Sequence, residues 1–115
     1  MTQPTPTAPD SLTPLAPPRF WNERQSVHLD QTFVHRSGAK VRVKVVRDSV
    51  PFQSYARAEG FDPAAMTWNP IASIPHPRMT SRGLNGYEPA GNAAVQSQLI
   101  SDRTELLRLA AQLLD

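Results

Sequence analysis

Arg42, Lys44 and Arg57, together with Thr32, His28 and Tyr55, are the residues of this chain best suited to chemistry. That chemistry is anion binding beside an aromatic ring. Guanidinium and ammonium groups hold phosphates while a base stacks on a nearby ring, the combination used by sheets that bind single-stranded nucleic acid. The competing reading is plain: an antiparallel sheet commonly leaves one face in water, and charged residues are what such a face contains. Asp30 and Glu59 interrupt the basic set, and Tyr55 is its single expected aromatic.

Catalytic and metal chemistry find less support. The three histidines, His28, His35 and His76, share no spacing suited to a metal, so no metal site is expected. The chain has no cysteine, which excludes a disulfide framework, thiolate ligands and cysteine catalysis. No nucleophile elbow, phosphate-binding glycine loop or dinucleotide fingerprint is present, and Gly83-Leu84-Asn85-Gly86 reads as turn chemistry. An enzyme would need a cleft where Glu88, His76 or Asp102 converge. The expectation is a non-enzymatic protein with no catalytic residues and no cofactor.

The basic residues share a surface only if strands align them. Ser26 to His35 and Ala39 to Arg47 both alternate between apolar and polar residues, the period-two signature of half-buried strands. Val27, Leu29, Gln31 and Phe33 lie on one side of the first run, and Val41, Val43 and Val45 on one side of the second. A three-residue loop, Arg36-Ser37-Gly38 with Gly38 left-handed, keeps both apolar faces together. It pairs His35 with Ala39, Phe33 with Val41, Thr32 with Arg42 and Asp30 with Lys44, the last an expected ion pair.

A third strand follows from Phe52 to about Glu59. Pairing Asp48 with Pro51 sets Ser54, Ala56 and Ala58 opposite Val45, Val43 and Val41, with Tyr55, Arg57 and Glu59 outward. A fourth, from Met66 to Ile74, contains Pro70, which confines it to an edge or a bulge. Residues 75–91 form a long loop. From Asn92 to Asp115 leucines recur at helical spacing, and Asp102-Arg103-Thr104-Glu105 has the form of a capping box that could start a separate helix. The predicted fold class is therefore α+β: a four-stranded antiparallel meander packed against a C-terminal α-helix.

The 115 residues suffice for one domain. Six of the 12 prolines fall in residues 1–18, giving a Pro/Thr-rich flexible tail or arm ahead of a single domain over 19–115. Phe20 and Trp21 mark the junction and are expected to pack inward. Net charge is only +2, but Arg19 to Arg57 carries eight basic residues against three carboxylates. No signal peptide or membrane-spanning run is apparent, so a cytoplasmic protein without membrane contact is expected.

Two functional classes follow. The favoured one is a small interaction protein, an accessory or structural component of a larger assembly, with a phage or mobile-element setting as a guess. It would bind a protein partner or self-associate through the helix, where Ile100, Leu107 and Leu114 widen the apolar surface. The alternative is nucleic-acid binding on the basic sheet face.

Overall fold

The computed structural model describes residues 9–115. Residues 1–8 of the Pro/Thr-rich tail thus lie outside the described residues. Six strands form one antiparallel sheet: β1 (Leu12–Pro14), β2 (Arg19–Glu23), β3 (Ser26–His35), β4 (Lys40–Asp48), β5 (Tyr55–Asp62) and β6 (Thr67–Pro75). One helix, α1 (Ala93–Leu114), covers one face. The spatial order is β1-β3-β4-β5-β6, with β2 sharing the edge of β3 that β1 also uses.

The central hairpin forms as the alternation dictates. Phe33 pairs with Val41, Gln31 with Val43, Leu29 with Val45, Thr32 with Arg42 and Asp30 with Lys44. The loop closes through the His35 amide donating to the Ala39 carbonyl at 2.7 Å, and Gly38 sits at φ +92°. A residue with a Cβ is strained there, which is why the turn ends in glycine.

Two corrections concern the strands. The β4–β5 register is two residues from expectation, since Ala56, Ala58 and Gly60 face Val45, Val43 and Val41. Pro51–Gln53 form a 3-10 turn that consumes the expected start of the strand. Asp48 holds this turn by accepting from the Val50 amide at 2.8 Å, while the Ser54 hydroxyl accepts from the Asp48 amide at 2.9 Å. An even slip preserves the faces, so Tyr55, Arg57 and Glu59 still point outward. The second correction is the strand count of six. Leu12–Pro14 lies in the sheet and Leu12 is buried, so the segment expected to be a flexible leader contributes core. Gln31 secures it further, its side-chain amide donating to the Ala16 carbonyl at 2.8 Å.

At the other edge, β6 carries Pro70 opposite Glu59 beside a register shift, where a missing amide costs no ladder bond. Trp68 and Phe61 pair across β5 and β6, ring centroids 5.1 Å apart.

The inner face supplies the core. Val27, Leu29, Phe33, Val41, Val43, Val45, Ala56 and Ala58 are buried beneath Val95, Leu99, Leu106, Leu107 and Ala110 of α1. Each fully buried leucine contributes about 1.5–3 kcal/mol. The helix is continuous, capped by Asn92, whose side chain accepts from the Ala94 and Val95 amides. Asp102 therefore caps nothing. It is fully buried mid-helix and accepts hydrogen bonds from the Thr80 amide and hydroxyl, both at 2.7 Å, and from the Ser81 amide and hydroxyl. Beside it Arg47, 1% exposed, donates to the Leu84 carbonyl through two nitrogens, at 3.1 and 2.9 Å. These two ions fasten the 79–84 segment onto the sheet end. The long loop is thus a packed lid over the core, with Met79, Leu84 and Ala90 buried.

Candidate nucleic-acid interface

The outer face is organised by register into rows that run across the strands. One row is Trp21–His28–Val46–Tyr55–Pro75 on β2, β3, β4, β5 and β6. The next is Arg19–Asp30–Lys44–Arg57–Ser73. Two residues along a strand separate the rows, about 6.7 Å. An aromatic row thus lies beside a predominantly cationic one.

The aromatic row is braced internally. Trp21 stacks on His28 with centroids 4.9 Å apart and planes 13° from parallel. The His28 Nε2 shares a hydrogen bond of 2.7 Å with the Ser26 hydroxyl and lies 3.6 Å from Glu23. Burial holds the His28 imidazole below its ordinary pKa despite the opposing pull of Glu23, so at neutral pH it is a flat uncharged ring. Val46 is buried between His28 and Tyr55 in the row, and the two tryptophans of the chain, Trp21 and Trp68, both face outward.

In the second row Arg19 lies 5.4 Å from the Trp21 ring centroid and Arg57 5.0 Å from that of Tyr55. Both guanidiniums lie over these rings, and both arginines are exposed. Lys44 lies between Asp30 and Arg57 in the ladder. The expected Asp30–Lys44 pairing holds in register, yet no ion pair within 4.0 Å joins them among the described residues. No donor among those residues reaches the Asp30 carboxylate, and its Oδ1 is shut off from water.

Arg42 has a different role from the one expected. Its Nε and Nη2 donate to the buried Glu59 carboxylate at 3.2 and 3.0 Å, and its guanidinium lies 4.5 Å from the Trp68 ring centroid. Arg42 is committed to neutralising Glu59 and supporting Trp68. Thr32 sits half-buried beside it in a third row, Thr32–Arg42–Glu59–Pro70.

A depression of about 350 Å³ opens where the first two rows meet, lined by Arg19, Trp21, His28, Asp30, Lys44 and Tyr55 among others. Tyr55 also borders a shallower groove of about 670 Å³ that continues over β5 and β6 to Pro75. The surface available to a ligand thus crosses four strand spacings, roughly 19 Å. Sequence reasoning located Arg42, Lys44, Arg57, Tyr55, Thr32 and His28 on one face, as observed. It missed Arg19, Trp21 and Trp68. The alternation of Arg19-Phe20-Trp21-Asn22-Glu23 carried the signal for the first two, with Phe20 turned to the core and Trp21 outward.

The helix offers less. Leu107 is fully buried, and Ile100 and Leu114 pack partly buried against the core, so the three side chains expected to receive a partner belong to the sheet contact. His76 and Asp102 do approach a common centre. His76 Nδ1 accepts from Arg47 at 2.6 Å, burial and that cation holding its pKa down, but the cluster is packed interior. Glu88 is apart from it, its carbonyl engaged by Asn22.

No family model, curated protein or solved structure matches the chain. No described helix is long and apolar enough to cross a membrane.

Proposed function

We propose that the protein is a non-enzymatic module that binds single-stranded nucleic acid across the open face of its sheet. The observation that carries this reading is the pair of adjacent rows, aromatic and cationic, fixed side by side by the strand register. Bases stacked on Trp21 and Tyr55 place their phosphates about one row away, where Arg19, Lys44 and Arg57 stand. Stacking supplies roughly 1–3 kcal/mol per base with little regard to sequence. The span of roughly 19 Å suits a footprint of about four nucleotides.

Titrating a fluorescent oligonucleotide at rising salt tests this. With three cations engaged, log K falls against log salt with a slope of about −2, and each of Arg19→Ala, Lys44→Ala and Arg57→Ala flattens it by roughly 0.7. Absence of binding at low salt refutes the reading.

The assembly-component reading keeps less ground. Of its expected docking residues Leu107 is fully buried and Ile100 and Leu114 partly so, and the large exposed apolar residues Leu15, Phe52, Met66, Tyr87 and Leu113 come from separate segments. It predicts a mass above that of the monomer in solution, or a protein partner recovered by pull-down.

A further inference from the structure

Asp30 is the anomaly of the face. It is the one carboxylate in a row whose other charged members, Arg19, Lys44 and Arg57, are cations. A phosphate placed against it would be repelled. Among the described residues its carboxylate receives no hydrogen bond; Oδ1 is closed off from water, so a ligand in the depression can meet only Oδ2. A buried acceptor without a donor costs stability, and native proteins rarely keep one without a use for it. Arg19 and Arg57 are turned toward their aromatic neighbours. The lysine opposite Asp30 stays beyond ion-pair distance.

The position of Asp30 limits what can donate to its other oxygen. It pairs with Arg19 and Lys44, one row from the Trp21–His28 stack, and borders the depression between the rows. A base lying on that stack projects its sugar toward the second row, about 6.7 Å away. At the level of the sugar and phosphate, the donors along a single strand are the ribose 2′-hydroxyls, and DNA has none. Carboxylates are apt acceptors for ribose hydroxyls, as in dinucleotide-binding folds.

Resting on the nucleic-acid reading above, we infer that Asp30 accepts a hydrogen bond from a ribose 2′-hydroxyl, which makes the face selective for RNA over DNA. Arg19 and Lys44 then hold the phosphates on either side of that sugar. Asp30 itself contributes discrimination and nothing to general affinity, since it repels phosphates as much as any carboxylate.

The test uses the full chain and three oligonucleotides of one sequence: all-ribose, all-deoxyribose and 2′-O-methyl. The wild-type protein is expected to bind the ribose strand about tenfold tighter than the other two, the yield of one charge-assisted hydrogen bond. Asp30→Ala is expected to remove that gap by weakening RNA binding while DNA binding stays equal or tightens. Unfolding by urea, compared between wild type and variant, separates this from a folding defect, and Asp30→Asn serves as a second variant that retains an acceptor oxygen without the charge. Equal binding of ribose and deoxyribose strands by the wild type, or a gap that persists in Asp30→Ala, overturns the inference and leaves the platform intact. Failure of all three strands to bind refutes the platform itself, and the inference with it.

Discussion

Replacing Asp102 tests whether the interior polar cluster holds the lid. The carboxylate is fully buried and takes four hydrogen bonds, from the amides and hydroxyls of Thr80 and Ser81. It also faces the buried Arg47, whose guanidinium burial holds below its usual pKa while Asp102 pulls the other way. Asp102→Ala deletes every acceptor, leaves the buried Ser81 amide and hydroxyl without a partner and removes the charge that favours the buried Arg47 cation. Each buried donor left unpaired costs about 1–3 kcal/mol, so the two at Ser81 together cost about 2–6 kcal/mol. Asp102→Asn retains one acceptor oxygen for Thr80 and lets the Ser81 hydroxyl reverse its role, so its cost is about 1–3 kcal/mol. Urea unfolding followed by circular dichroism gives both values, and hydrogen exchange at the Thr80 and Ser81 amides localises them. A loss below about 1 kcal/mol in Asp102→Ala, with those amides still protected, would refute the argument.

Other perturbations address separate parts of the molecule. Leu12→Ala should cost about 2–5 kcal/mol in urea unfolding, because Leu12 is core despite its place in a proline-rich leader. Gly86→Ala should cost about 1–3 kcal/mol, since an added Cβ would overlap the Gln25 carbonyl and the Ser49 amide nitrogen. For pH, the folded-state pKa values of His28 and His76 lie below 6.5, mainly through burial. Their neutral forms favour the fold above pH 6.5, and that contribution is lost as pH falls through the folded values. The urea midpoint should drop between pH 7.5 and pH 5, and His28→Gln should lessen the drop.

The central hairpin was legible because parity and a single left-handed glycine leave one register that keeps Leu29, Phe33 and the three valines together. The outward set from Thr32 to Arg57 followed from it. The β5 start was not legible, because Pro51–Gln53 closes a turn whose stability comes from the Asp48 and Ser54 side chains, and alternation alone is blind to a shift of two. The leader misleads by composition: its prolines suggest a solvated chain, yet three residues suffice to pair with β3 once Leu12 finds a cavity to fill. Asp102 carries the sequence signature of a cap, and its actual partners lie about twenty residues earlier in a loop without periodicity. Size alone points Trp21 inward, where the polar residues around it are the better guide.

Intrinsic fluorescence offers the most direct measurement of the proposed face, because Trp21 and Trp68 are the only tryptophans and both lie on it. Titration of a short single strand into Trp68→Phe, which reports Trp21 alone, should give saturable quenching. Trp21→Phe should respond more weakly, its remaining ring being covered by Arg42. Saturable binding that leaves the Trp21 emission unchanged would place the site elsewhere and contradict the account.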